Sequence, residues 1–218
     1  MGTLEIIRLK NHEEASLTLV ELLFNDLINY KNYSIGLSGG STPIFLYQEM
    51  VKKFGSLENI QIWTVDERHV HLSSEYSNQA MINKIFSDSK FEIIEVDYSD
   101  DPKVSALNYT EKVFSNINKF NAAILGLGDD GHIASLFKGS DAVNVTKSRF
   151  VENEVNILTK WRITSTFPLL QSVDNVYLLV TGESKKNILK EITSNKELPV
   201  YKLIKTRQKT VLLTDQYF

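Results

Sequence analysis

Two hydrophobic spacings alternate along the chain. Short, nearly unbroken apolar runs recur at residues 33–37, 60–65, 91–96, 122–125 and 175–181, bounded by polar or glycine-containing stretches. Such runs predict strands buried on both faces, as in a parallel sheet. Looser runs at 4–9, 151–158 and 210–213 predict a first, an edge and a last strand. Between them the apolar residues fall at helical spacing. Residues 13–28 carry Ala15, Leu19, Leu22, Leu23 and Leu27 on one face, and 44–54 repeat the pattern. A helix capped by Ser77 runs to about residue 86. Another spans 102–117, with Val104, Leu107, Val113, Phe114 and Ile117 facing inward. Further helical pieces are predicted at 182–191 and, less regularly, at 198–204. This order predicts an α/β fold: a doubly wound, mostly parallel, Rossmann-like sheet with helices on both faces, in one domain over residues 1–218.

Composition narrows the classes without changing that picture. Of 218 residues, 42% are hydrophobic, enough for one sizeable core. The net charge is −3 with no concentrated basic block, so nucleic acid is not an expected partner. No apolar run reaches membrane-spanning length and the N-terminus shows no signal-peptide pattern, so no membrane partner and a cytoplasmic location are expected. The chain has no cysteine, which excludes a disulfide framework and a thiolate nucleophile. Composition says nothing about protein partners.

Residues 122–137 hold the densest chemistry. An apolar run leads into Gly126, Gly128 and Gly131, interleaved with Asp129 and Asp130, and then into His132. This order places an imidazole at the carboxyl end of a strand, where open α/β sheets bind ligands. Histidine titrates near neutrality, so a small shift makes it a usable base. The apolar segment after His132 predicts a helix start, whose N–H groups would face an anion or a developing oxyanion. The glycine spacing also fits a dinucleotide fingerprint. Two acids in the turn, and the polar, irregular stretch 138–150 after it, argue against that reading.

Three further segments offer anion chemistry. Ser38-Gly39-Gly40-Ser41-Thr42-Pro43 precedes a helix, and its backbone N–H groups suit a phosphate; it lacks the lysine of a nucleotide-triphosphate loop. Asp66-Glu67-Arg68 ends a strand, where Arg68 can bind phosphate bidentately. His69 and His71 follow without an evident third ligand and read as surface residues. Arg162 lies in a β-rich run, and Lys185 and Lys186 stand at a helix start, where a lysine is favoured only if it faces an anion.

Together these motifs resemble the 6-phosphogluconolactonase family, which is related to the glucosamine-6-phosphate deaminases. The resemblance rests on Leu37 to Pro43, Asp66-Glu67-Arg68, Ser77-Asn78, Gly126 to Phe137, Arg162-Ile163-Thr164 and Gly182-Glu183-Ser184-Lys185, in that order. It implies hydrolysis of 6-phospho-D-glucono-1,5-lactone, a small sugar-phosphate substrate, to 6-phosphogluconate in the oxidative pentose phosphate pathway, with no metal or organic cofactor. His132 matches the family's general base and Asp130 the residue that orients it. Ser38, Gly39, Gly40, Ser41, Thr42, Arg68, Arg162 and Lys185 match positions that hold the phosphate and sugar, with Asp66 and Glu67 in support. The chain departs from the family pattern at Lys138, where proline is usual, at His69-Val70-His71, and at Ile133, which is associated with the deaminase branch. That branch has tyrosine in place of Arg68 and Phe-Asn-Glu-Pro in place of Ser135-Leu136-Phe137-Lys138, so both positions favour the lactonase. The alternatives are an aminosugar-phosphate deaminase with Asp66 as base, and a non-catalytic sugar-phosphate sensor.

Overall fold

The computed structural model describes residues 2–218. The first half of the chain comprises β1 (Thr3–Arg8), α1 (His12–Leu27), β2 (Tyr33–Leu37), α2 (Ile44–Phe54), β3 (Ile60–Thr64), β4 (Asp66–Arg68), α3 (Asn78–Ile85), β5 (Glu92–Ile94) and α4 (Pro102–Asn116). The second half comprises β6 (Ala122–Leu125), a 3-10 turn at Asp141–Asn144, β7 (Phe150–Ile157), β8 (Thr159–Ser165), α5 (Phe167–Ser172) and β9 (Asn175–Leu179). It ends with a 3-10 turn at Glu183–Lys185, α6 (Lys186–Glu191), α7 (Pro199–Thr206) and β10 (Lys209–Thr214).

Seven strands form one sheet in the order β1-β10-β9-β6-β2-β3-β5, and every neighbouring pair is parallel. From β2 the chain winds outward through β3 to β5. It then returns to the other side of β2 at β6 and winds through β9 to β10. The order therefore reverses between β2 and β6. There the loops leaving the two strands diverge and open a crevice at the carboxyl rim, the usual ligand position in such sheets. The predicted fold class is the observed one.

The sheet separates two apolar layers. On one face α1, α2 and α3 bury Leu19, Leu23, Leu46, Met50 and Ile82 against Ile35, Ile62 and Ile124. On the other, Tyr109, Val113, Leu169, Leu189 and Leu203 pack against Trp63, Leu125 and Leu178. The fully buried Trp63 lies over Gly36, where a Cβ would overlap its indole, and meets Phe120 and Phe150 edge-on. Side chains cap three helix starts: Asn11 accepts from Glu14 N–H at 2.8 Å, Ser77 from Ala80 N–H at 3.0 Å and Asp101 from Lys103 N–H at 2.8 Å. Each such cap contributes about 1 kcal/mol.

Three expectations need correction. First, Asp66-Glu67-Arg68 is not the end of the preceding strand, which stops at Thr64. It is β4, the edge of a second, three-stranded antiparallel sheet ordered β4-β8-β7, with Arg68 opposite Arg162. Polar residues with few apolar neighbours gave this strand no hydrophobic signature. Second, α4 is rotated from the expected face: Val113 and Ile117 are buried as expected, together with Ser105, Ala106 and Tyr109, whereas Val104, Leu107 and Phe114 are 40%, 55% and 41% exposed. Tyr109 fixes that rotation, because its hydroxyl accepts from Thr64 N–H at 2.7 Å inside the core. Third, no helix follows His132. Ile133 and Leu136 pair as an isolated bridge, and Gly131 and Ala134 take φ of +80° and +49°. Side chains of the small sheet engage the backbone that a helix would use. Ser135 N–H donates to Thr164 Oγ1 at 3.1 Å, and Ser135 C=O accepts from Asn153 Nδ2 at 2.8 Å.

Candidate active site

The crevice between β2 and β6 is an open cleft. Its walls include Ser38, Gly39, Thr42, Asp66, Arg68, His132 and Lys185, drawn from four separate segments of the chain. Pro43, Ile124–Gly128, Ala134 and Leu179–Thr181 line the remainder.

The loop after β2 is held by little of its own. Tyr47, buried in α2, donates its hydroxyl to Ser38 C=O at 2.8 Å. Gly39 presses against Asn78: a Cβ there would overlap the Asn78 amide, whose Nδ2 donates to Asp66 C=O at 2.8 Å. Gly40 takes φ of +91°, which a side chain would strain. Pro43 precedes α2 without a side-chain cap, so first-turn N–H groups of this 11-residue helix have no side-chain acceptor. They are suited to an anion. Ser38, Gly39 and Thr42 face the cleft, whereas Gly40 and Ser41 form the exposed outer turn.

The turn after β6 is closed by its own atoms. Gly128 N–H donates to His132 C=O at 2.9 Å and Gly131 N–H to Gly128 C=O at 3.0 Å. His132 Nδ1 lies 2.6 Å from Asp130 Oδ1, and His132 N–H donates to the same oxygen at 3.1 Å. A Cβ at Gly128 would overlap the imidazole. The ring also stacks on Phe137, with centroids 4.2 Å apart. A carboxylate can only accept, so the neutral ring keeps its proton on Nδ1 and its lone pair on Nε2. Partial burial raises the Asp130 pKa, but the hydrogen bonds from His132 outweigh it and hold the carboxyl below its ordinary range. Asp130 therefore stays ionised and the tautomer stays fixed.

Cations gather around this pair. Lys185 Nζ donates to Leu127 C=O at 2.7 Å and to Asp129 Oδ1 at 2.6 Å; Lys186 is exposed and outside the cleft wall. Arg68 donates from Nη1 to Tyr76 C=O at 2.9 Å. Arg162 stands behind it, only 3% exposed, and donates Nη2 to Ile157 C=O at 2.7 Å. Its buried Nε and Nη1 have no partner among the described residues. Burial and the adjacent Arg68 charge lower the Arg162 pKa, while Asp66 and Glu67 oppose them. Arg68 belongs to the cleft wall, whereas Arg162, its cross-strand neighbour, lies buried outside it; a guanidinium is suited to bidentate binding of an anion.

The two acids of β4 do different work. Asp66 reaches the cleft wall and accepts from Ser135 Oγ at 2.6 Å, tying β4 to the segment after His132. Glu67 turns away and accepts at its carboxylate from the N–H groups of Arg68, Asn78 and Gln79 and from Ser77 Oγ. It braces the start of α3. Burial pushes its carboxyl up to about 7 against those four donors. His69 and His71 flank Tyr98, with ring centroids 4.7 and 4.0 Å away, outside the main cleft wall. No group of three or more metal-ligating side chains occurs among the described residues.

Sequence reasoning attached no role to Ser135, Asn153 and Thr164. Ser135 and Thr164 lie inside quoted motifs, but their partners come from β4, β7 and β8, and spacing along the chain carries no sign of such long-range bonds.

A doubly wound sheet with a bare anion loop, paired arginines and an aspartate-braced histidine at its switch point describes an α/β enzyme cleft for an anionic substrate. The chain belongs to the family described as glucosamine-6-phosphate isomerases/6-phosphogluconolactonase, whose model matches residues 11–212. It is 32% identical over 179 residues to a 6-phosphogluconolactonase of Thermotoga maritima, covering 80% of each chain. It is 30% identical over 217 residues to a probable 6-phosphogluconolactonase of Dictyostelium discoideum, covering 91% of each. The crystal structure of 6-phosphogluconolactonase from Thermotoga maritima superposes with a TM-score of 0.86 at 28% identity, covering 97% of this chain and 99% of the other.

Proposed function

We propose that this protein hydrolyses 6-phospho-D-glucono-1,5-lactone to 6-phosphogluconate in the oxidative pentose phosphate pathway, as one catalytic domain of the cytoplasm. The observation that carries the reading is the Asp130–His132 pair on the cleft wall, with Nδ1 held and Nε2 left as the basic nitrogen. Family membership gives that pair its substrate class.

In this reading His132 Nε2 takes a proton from a water as the water oxygen attacks the lactone carbonyl carbon. The carbonyl π electrons move onto oxygen and form a tetrahedral alkoxide. Collapse of the alkoxide breaks the ring C–O bond, and the imidazolium returns the proton to the departing ring oxygen. The free acid then ionises to the carboxylate of 6-phosphogluconate. Asp130 stabilises the imidazolium between these steps. The phosphate takes no part in the chemistry and serves as the anchor. Ser38, Gly39, Thr42 and the start of α2, with Arg68, Arg162 and Lys185, form that anchor; Gly40 and Ser41 shape the loop behind it. Lys185 exchanges its Asp129 partner for substrate oxygen. No cofactor enters the scheme.

The test is lactone hydrolysis with the spontaneous rate subtracted, for wild type and His132→Ala. Acceleration by wild type that is lost in the variant is the expected result. A folded wild type with no acceleration overturns the proposal; ammonia release from glucosamine 6-phosphate would then identify a deaminase, and tight 6-phosphogluconate binding without turnover a sensor.

A further inference from the structure

His12 belongs to none of the motifs above, yet the fold brings it to the rim of the cleft. It opens α1 and is half-buried. Its Nδ1 lies 2.8 Å from Oγ1 of Thr181, a residue 169 positions away. Thr181 follows β9 and forms part of the same cleft wall as His132 and Lys185. On its other edge the His12 ring has Nε2 3.5 Å from the buried Ser16 hydroxyl, and its centroid is 6.3 Å from that of Phe45 in the first turn of α2.

This bond does not serve the backbone, which other contacts already hold. Val180 N–H donates to Leu213 C=O at 3.0 Å, Gly182 N–H to Asp215 Oδ1 at 2.9 Å and Lys185 N–H to Gly182 C=O at 3.1 Å. What His12 adds is the orientation of one hydroxyl. A threonine hydroxyl has one proton and two lone pairs. With one of these directed at Nδ1, the hydroxyl is no longer free to rotate, and Thr181 stands on the cleft wall.

We propose that Thr181 is a further polar contact for the sugar phosphate, and that His12 is the positioning residue that presets its hydroxyl. The proposal rests on the reading of this cleft as the lactone site. Preorganising a donor or acceptor strengthens binding without touching the reacting carbonyl. The effect therefore belongs in KM and in the affinity for product, not in kcat.

Steady-state hydrolysis and competitive inhibition by 6-phosphogluconate test this. Thr181→Val is expected to raise KM and the inhibition constant together by about 10-fold, with kcat within about twofold of wild type. His12→Phe, which keeps an aromatic ring beside Phe45, is expected to raise both by about threefold. Thr181→Ser and His12→Asn, which restore the hydroxyl and a polar δ-nitrogen, are expected to recover wild-type values. The double variant should bind no more weakly than Thr181→Val alone, because His12 acts through the hydroxyl. Thr181→Ala provides a second truncation should the valine variant fold poorly. Folded truncations with unchanged KM and inhibition constant overturn the proposal, as does a loss confined to kcat or full additivity in the double variant. His132→Ala separates the levels. If it abolishes turnover while Thr181→Val binds normally, only the role of Thr181 and His12 falls. If it retains turnover, the reading of the cleft falls and this proposal with it.

Discussion

The turns that leave β2 and β6 start from neighbouring strands at the same rim, yet they are built in opposite ways. Residues 38–43 carry two glycines and receive one hydroxyl from Tyr47, and the helix that follows has no side-chain cap. Residues 126–137 are locked by three backbone bonds of their own, by Asp130, by the Phe137 ring and, through Ser135, by Asp66, Asn153 and Thr164. A loop that binds an anion through its backbone must leave its N–H groups bare. A loop that carries a base must hold one ring nitrogen in place, and rigid support is what makes such a group effective. The difference separates anchoring from chemistry: the first turn should answer to mutation in KM, the second in kcat.

The largest effect that comparison predicts is at His132. Replacement by alanine should lower kcat by about 10²- to 10⁴-fold, with the melting temperature nearly unchanged, because the ring is part of an open wall. A steep fall in melting temperature in thermal unfolding would make His132 a structural residue instead. Next comes Asp130→Asn. The amide can present a donor to Nδ1 and favour the tautomer with its proton on Nε2, the nitrogen that must accept. About 10²-fold in kcat is expected, with KM little changed. On the other turn, Gly39→Ala drives a methyl group into the Asn78 amide, which is fixed by Asp66 C=O. It should raise KM and cost about 1–3 kcal/mol of stability, measured by denaturant unfolding.

The same two carboxylate types sharpen the contrast through pH. The Asp130 pKa lies below its ordinary 3.8, so its contribution to stability is present above that value and is lost as pH falls through the folded-state value. Glu67 has the opposite sign. Its pKa rises from 4.5 to about 7, so the native state holds a proton that the unfolded chain has released, and this contribution is lost as pH rises through that window. Acid unfolding of Asp130→Asn should therefore begin at the same or a higher pH than in a matched surface Asp→Asn control, because the variant lacks a contribution that the control keeps until Asp130 protonates. Glu67→Gln should flatten the stability profile between about 4.5 and 7.

These contrasts also mark how far sequence carries. The large sheet was legible because each strand is a continuous apolar run and each crossover helix has its own stripe. The place of the Ser38–Pro43 loop and of the Gly-Asp-Asp-Gly-His turn at the cleft was legible because both are glycine-rich turns that follow apolar strands. In the small sheet the edge strand at 151–158 and the β-rich run around Arg162 were legible and became β7 and β8, but β4 was not, since it is three charged residues whose strand character comes only from pairing with β8. The irregular path after His132 was not, because Ile133 to Phe137 reads as a helix start until Thr164 and Asn153 claim its backbone. His12 was invisible for the same reason: its partner lies 169 residues away.

The smallest predicted effect tests whether the loop after β2 is as lightly held as it looks. Tyr47 is fully buried, and its hydroxyl meets Ser38 C=O at 2.8 Å. Burial raises the phenol pKa far above neutrality, so it donates as a neutral group over the whole working range. Tyr47→Phe keeps the ring and its contact with Phe86 but leaves Ser38 C=O without that donor. A neutral bond of this kind contributes about 0.5–1.5 kcal/mol, and a loss of that size in denaturant unfolding is expected. If the bond also sets the loop for substrate, KM should rise by about 2- to 10-fold with kcat unchanged. A loss of stability with KM unaltered would show that the glycines alone set the anion loop, and that Tyr47 serves only the packing of α2.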